Sequence, residues 1–216
     1  MSGLAGLVRE GLASRGCELG AGACERLAGF LELLLRANGE VNLVSRREAA
    51  PQKLVERHLA DALEALPLVP PPTSRPARLL DVGSGGGFPA IPLLLVRPDL
   101  EGVLVEATGK KARFLEGAIQ ALGLTARVVN ARFPDPALEL MKNAAPCDLL
   151  TSRAVAGAGE IARKARPALR AGAVALFWTS EPLLPELRRA LPGARVGFRR
   201  SPGAERRGIA FVERFT

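Results

Sequence analysis

The segment "LLDVGSGGGFPAIPL", Leu79 to Leu93, decides how this chain is read. A short apolar run carries Asp81, and four glycines fall among the five residues Gly83 to Gly87. A turn almost free of side chains admits positive φ and lets a ligand approach the backbone closely. Coming after a strand and before a helix, it belongs at the carboxyl edge of a parallel sheet, where open α/β folds bind ligands.

Two ligand classes use such a turn. The dinucleotide pattern G-x-G-x-x-G is met at Gly83 and Gly85, but its third position is Phe88. Pro89 and Pro92 remove two N–H donors from the start of the helix, which weakens a pyrophosphate site. Asp81 is also unfavourable beside phosphate. S-Adenosylmethionine suits these residues better, because its methionine end carries an ammonium group and no phosphate. Glu106 ends the next strand candidate, 23 residues beyond Gly83. A carboxylate there can accept hydrogen bonds from ribose hydroxyls, although nicotinamide enzymes use the same device.

Outward from the turn, strands and helices alternate. Strands are expected at Arg78–Val82, Gly102–Glu106, Ala126–Asn130, Asp148–Ser152 and Ala173–Trp178, with helices at Lys110–Leu122, Gly157–Leu169 and Pro182–Leu191. This order predicts a mostly parallel sheet covered on both faces. At the end, "RVGFRR", "SPGAE" and "RGIAFVERF" read as two strands with no helix between them, so the last strand should be antiparallel. Upstream, Leu27, Phe30, Leu31, Leu34 and Leu35 share one helical face, and Pro51–Leu66 repeats the pattern. The five prolines within Pro67–Pro76 read as a stiff boundary. The expected division is an N-terminal helical subdomain, 1–70, and a ligand-binding domain, 71–216.

The 216 residues suffice for one sizeable domain with a small addition, and no apolar run approaches bilayer length. The N-terminus has no signal-peptide pattern, and Cys17, Cys24 and Cys147 are too scattered for a disulfide framework or a zinc site. A reducing cytoplasm is the expected setting, with no metal and no membrane partner. Residues 1–150 carry 17 basic and 17 acidic side chains, whereas 151–216 carry 13 and 5, the whole net charge of +8. That asymmetry suits a polyanion such as nucleic acid, or marks an arginine-rich solvated face. Arg199, Arg200, Arg206 and Arg207 are its candidate RNA contacts.

"LLDVGSGGGFPAIPLLLVRPD", "LVEATGKKARFLEGAIQALGL", "VVNARFPD" and "TSRAVA" together resemble the bacterial 16S ribosomal RNA guanine-N7 methyltransferases, the glucose-inhibited division protein B family. "VNLVSRREA" and "LVERHLADAL" resemble its upstream segments, and the likeness covers roughly residues 25–160 well. It implies a class I S-adenosylmethionine-dependent methyltransferase fold, Rossmann-like with a C-terminal antiparallel strand after a helical subdomain. It also implies 16S rRNA or the small ribosomal subunit as partner; a monomer is expected, although the sequence does not encode the oligomeric state. Gly83, Gly85 and Phe88 would wall the methionine and ribose side. Glu106, Ala107 and Thr108 would hold the ribose and flank the adenine, bordered by Arg132, Phe133 and Pro134. Arg153 would approach the methionine carboxylate or the reacting guanine, as the candidate catalytic residue. His58, the single histidine, would belong to helices beside the site, in RNA handling or architecture.

The chain departs from the family pattern in places. "LRANGEVNL" has no tryptophan, Ala62 follows Asp61 where serine is usual, Pro134 replaces an acid with Asp135 following, and Thr179-Ser180 replaces Lys-Gly. Guanine N7 bears a lone pair and no proton, so methyl transfer to it needs alignment rather than a general base. Cys147, at the amino end of its strand, reads as a core cysteine. Two other readings stay open: a same-fold methyltransferase acting on another RNA or a small molecule, and a non-catalytic RNA-binding or assembly protein.

Overall fold

The computed structural model describes residues 3–141, 144–153 and 157–213. Helices α1 (Gly3–Ala13) and α2 (Ala21–Val41) come first, and α2 buries Leu27, Phe30, Leu31 and Leu34 as their spacing predicts. The expected helix Pro51–Leu66 is instead broken into α3 (Pro51–Leu54), a π turn (Val55–Leu59) and α4 (Ala60–Leu63). It stops early because Pro67 has no N–H to bond the Leu63 carbonyl. The proline-rich segment is tied down by Arg97 Nη2, which donates to Pro70 O at 2.8 Å, and by an Arg75 fork on Asp148.

Then follow β1 (Ala77–Val82), α5 (Ala90–Val96), β2 (Leu100–Val105), α6 (Gly109–Ala121), β3 (Ala126–Val129), α7 (Ala137–Met141), β4 (Cys147–Arg153), α8 (Ala158–Ala165), β5 (Leu169–Ser180), α9 (Leu184–Ala190), β6 (Arg195–Arg200) and β7 (Arg207–Glu213). Helix α5 is the one expected after the glycine turn, whereas α1 and α7 are additional to the helices given bounds from sequence. Helix α8 ends before the expected Leu169, since Pro167 cannot continue its hydrogen bonding.

The seven strands lie in the order β3-β2-β1-β4-β5-β7-β6. The first five are parallel, and β7 runs antiparallel between β5 and β6, so the expected antiparallel ending is present. Apolar β7 takes the interior position, while β6 puts Arg195, Arg199 and Arg200 on the edge, where charge discourages further pairing. This mixed sheet under helices is the class I methyltransferase architecture.

Alternating strand residues serve two cores. Leu79, Leu104, Leu149, Leu176 and Ile209 join α1, α2, the π-turn helix, α5 and α6 in one continuous cluster. Leu80, Val82, Val103, Val105, Leu150, Phe177 and Val212 pack with α7, α8 and α9 in the other. The strand order reverses between β1 and β4, so a crevice opens at their carboxyl ends. Among the described residues, no helix is long and apolar enough to cross a membrane.

Candidate active site

The glycine turn follows β1 at that crevice. Gly83, Gly85 and Gly87 have φ of 79°, 54° and 91°, a region that side chains strain to enter. Gly86 is needed for a different reason: a Cβ there would meet Leu43 O at 3.1 Å, so the turn is pressed against the loop after α2.

Two carboxylates flank the turn. Glu106 is 7% exposed, and each of its oxygens accepts one backbone N–H: Oε2 from Gly85 at 2.8 Å and Oε1 from Thr108 at 2.7 Å. Asn130 Nδ2 donates to the Glu106 carbonyl at 2.8 Å and fixes the strand end behind it. A carboxylate held this way keeps lone pairs for two vicinal hydroxyls. Asp81 is 1% exposed, and its Oδ1 accepts from Thr151 Oγ1 at 2.6 Å. Its Oδ2 is buried with no partner among the described residues. Burial pushes the Asp81 carboxyl up to about 6, against the Thr151 hydrogen bond that favours ionisation, while Ser84 Oγ donates to the Asp81 main-chain carbonyl at 3.3 Å. A buried carboxylate oxygen lacking a donor fits the ammonium group of S-adenosylmethionine, and it is the wrong charge for a pyrophosphate.

Beside these acids lies a cavity of about 440 Å³, within the size range of small-molecule sites. Val82, Val105 and Ala131 form its apolar lining, with Gly83, Ala107, Arg132, Phe133 and Pro134 around it and Gly157 and Glu160 opposite. Five of the residues singled out from sequence therefore line one cavity. Glu106, Thr108, Gly85 and Asp81 are joined to it through the turn.

Phe88 and Arg153 are placed elsewhere. The Phe88 ring meets Phe30 edge-on, with centroids 5.2 Å apart, and lies 5.1 Å from the His58 ring. It packs the turn onto the helical layer rather than walling the cavity, because an apolar ring gains more from that core than from a solvated cleft. The Arg153 guanidinium is turned to the same layer: Nη2 donates to Arg57 O at 2.9 Å, inside the π turn, and to Asp61 Oδ2 at 3.3 Å. It is a half-buried, paired cation rather than a free one. The rest of "RAVA", 154–156, lies outside the described residues.

His58 is half-buried, with Nε2 3.5 Å from Glu48 Oε2. Burial, then the Arg153 charge, pull its pKa down to about 4, so the ring is neutral at pH 7. Arg199, Arg200, Arg206 and Arg207 are exposed on β6, the following turn and the first residue of β7, with Arg200 Nη2 donating to Glu181 at 2.8 Å. Burial pushes the Cys147 thiol up to about 11, consistent with an inert core position.

Sequence reasoning missed Thr151, Asn130, Asp61 and Trp178. Trp178 Nε1 donates to Asp61 O at 2.8 Å, and Asp61 also pairs with Arg153. Thr151 and Asn130 had a local signal, since Asn130 stands just beyond the carboxyl end of β3 and Thr151 two residues before that of β4.

The model of the family described as "rRNA small subunit methyltransferase G" (GidB) matches residues 23–190. Three curated relatives named ribosomal RNA small subunit methyltransferase G are similar to the chain. That of Acidiphilium cryptum is 38% identical over 86% of this chain and 82% of its own. That of Stenotrophomonas maltophilia is 40% identical over 80% and 76%, and that of Azoarcus sp. is 42% identical over 69% and 66%. Among solved structures, a Thermus thermophilus 16S rRNA N2 G1207 methyltransferase in complex with AdoMet and guanosine superposes with TM-score 0.55 at 22% identity, over 73% of this chain and 43% of that one. A predicted O-methyltransferase from Agrobacterium tumefaciens gives TM-score 0.58 at 17% identity, over 72% and 81%. These two likenesses concern the fold alone.

Proposed function

The chain belongs to the rRNA small subunit methyltransferase G (GidB) family, and from that premise we propose that it transfers a methyl group from S-adenosylmethionine to N7 of a guanine in 16S ribosomal RNA. The observation that carries this reading is the joint occurrence of a buried Asp81 oxygen without a partner among the described residues, a backbone-held Glu106 and a nucleoside-sized cavity at one strand edge.

When bound, S-adenosylmethionine supplies an electrophilic methyl group on a sulfonium sulfur. Asp81 would receive its ammonium group beneath the Gly83–Gly85 turn. Glu106 would accept from both ribose hydroxyls, with Thr108 N–H and Gly85 N–H keeping the carboxylate in plane. Ala107, Arg132, Phe133 and Pro134 would border the adenine over the Val82 and Val105 floor. Phe88 would act at one remove, by anchoring the turn to Phe30 and His58. Arg153, near the carboxyl end of β4, would contact the RNA. The guanine N7 lone pair attacks without deprotonation, so the chain's task is alignment and exclusion of water.

The partner is the small subunit's ribosomal RNA, approached as a monomer across the basic face bearing Arg199, Arg200, Arg206 and Arg207. Residues 1–70 form the helical subdomain of this reading, with His58 supporting it, and 71–216 the methyltransferase domain. The test is methyl transfer from labelled S-adenosylmethionine to 30S subunits or 16S RNA from cells lacking the protein, followed by nucleoside analysis. N7-methylguanosine is the expected product. No incorporation, or label on another atom, sinks the proposal.

A further inference from the structure

A second cavity, about 560 Å³, lies beyond the carboxyl ends of β4 and β5. The loop after α1 (Arg15), the π turn and α4 (Arg57, Asp61), the end of β5 (Trp178, Thr179) and the β6–β7 turn from Ser201 to Arg207 enclose it. The cofactor roles described above use none of this lining, and Arg153, assigned to the RNA, belongs to it.

Its charges are unevenly matched. Asp61 is the carboxylate on which three guanidinium groups converge: Arg153 Nη2 at 3.3 Å, Arg15 Nη2 at 3.9 Å, and Arg207, whose charge acts on both Asp61 and Arg153. Arg15 has a second partner in Glu64 and Arg57 has Glu48. Arg207 is exposed and, among the described residues, its guanidinium donates to no acceptor. Arg153 keeps a buried Nη1 with no partner among the described residues. Burial and the neighbouring Arg207 both work against its charged form. A further anion between Arg153 and Arg207 would relieve that repulsion.

The wall beside these cations is aromatic. Trp178 is half-buried, and its Nε1–H bond to Asp61 O sets the ring's position. Thr179, Ser180 and Ser201 add hydroxyls. A fixed indole next to guanidinium groups is the combination that holds a single-stranded nucleotide, base on ring and phosphate on cation. The groove and the cofactor cavity both lie at the carboxyl end of the sheet. A small intervening hollow is lined by Gly157, which the cofactor cavity shares, and by Trp178 and Thr179, which the groove shares.

Resting on the RNA substrate proposed above, we infer that this groove binds the nucleotide adjoining the methylated guanine, with its phosphodiester between Arg153 and Arg207 and its base against Trp178. The N-terminal helices and the C-terminal hairpin thereby grip the RNA together.

Two measurements test this. In methyl transfer to unmethylated 30S subunits, Arg207→Gln should raise KM for the subunit about tenfold and flatten its salt dependence by about one phosphate contact, without moving S-adenosylmethionine affinity. Arg195→Gln, on the edge strand and paired with Glu213 at 3.3 Å, should change neither. Independently of turnover, hexa-adenylate should quench the fluorescence of Trp178, the single tryptophan, and high salt or Arg207→Gln should remove the quenching. Equal KM shifts in the two arginine variants, loss of cofactor affinity in Arg207→Gln, or no quenching in the wild type would each overturn the groove assignment. Failure of the parent reading looks different: wild-type protein would then leave ribosomal RNA unmethylated whatever the oligonucleotide does.

Discussion

Asp81 shows how a single residue can be worse for folding than for function. Its carboxyl is pushed up to about 6 by burial, from an ordinary value near 3.8, so the fold favours the protonated form. Stability from this group is present below pH 4 and is lost as pH rises through 6. Relative to Asp81→Asn, the wild-type protein should lose about 3 kcal/mol of unfolding free energy between pH 4 and pH 7.5. Urea titrations of both proteins at the two pH values measure this, and parallel pH profiles would refute it. The comparison cancels His58, whose depressed pKa acts in the opposite sense, favouring unfolding as pH falls below 6.5. The same Asn variant should bind S-adenosylmethionine at least tenfold more weakly. Glu106→Ala should weaken it by about 1.5–3 kcal/mol, the worth of hydrogen bonds to a charged acceptor. Calorimetry reads both, and unchanged affinity in the second variant removes Glu106 from the ribose.

At the scale of elements, what matters is how strand ends are pinned to one another. At the amino edge, Asp148 accepts from Arg75 at 2.9 and 2.6 Å, from Arg78 N at 2.9 Å and from Arg170 Nε at 3.1 Å, which ties the proline-rich segment and β1 to β4 and β5. The Arg75 hydrogen bonds hold its carboxyl down to about 2. Stability from this group is therefore present above pH 4 and is lost as pH falls through 2. Asp148→Ala should cost about 1.5–3 kcal/mol at pH 7 and less near pH 2.5, because the wild-type carboxylate itself begins to protonate. Denaturant midpoints at the two pH values decide this; an equal cost at both leaves the ion pairs without a role. At the carboxyl edge the pinning is done by the π turn, an irregularity common at functional sites, whose Arg57 carbonyl receives Arg153.

For the whole molecule, the continuous cluster from Ala5 in α1 to Ile209 in β7 means that the N-terminal helices and the sheet share one core. Unfolding should therefore be a single transition. Far-UV circular dichroism reports mainly the helices, and Trp178 fluorescence reports the junction where its indole bonds Asp61 O. The two curves should coincide in guanidinium. Separate midpoints would mean that the helical layer unfolds on its own.

Local chemistry made much of this legible in the order of residues alone. The period-two apolar runs, the glycines that only positive φ requires and the acids at strand ends all act within a few positions of themselves. The parallel sheet, the antiparallel ending and the Gly83 and Glu106 positions at strand ends could therefore be read from the residues, while Ala107 and Phe133 came only with the family resemblance. Helix ends were misjudged by a turn where Pro67 and Pro167 remove donors, since apolar spacing does not register a missing N–H. What only the tertiary structure decided is how distant elements meet: Phe88 against Phe30 and His58, Arg153 and Trp178 on Asp61, Arg207 facing them across a groove. Those partners lie about 30 to 150 residues apart in the chain, and no local period encodes which face of a helix will dock against which strand end. The packing of the helical layer onto the sheet sets that, by burying the largest shared apolar surface.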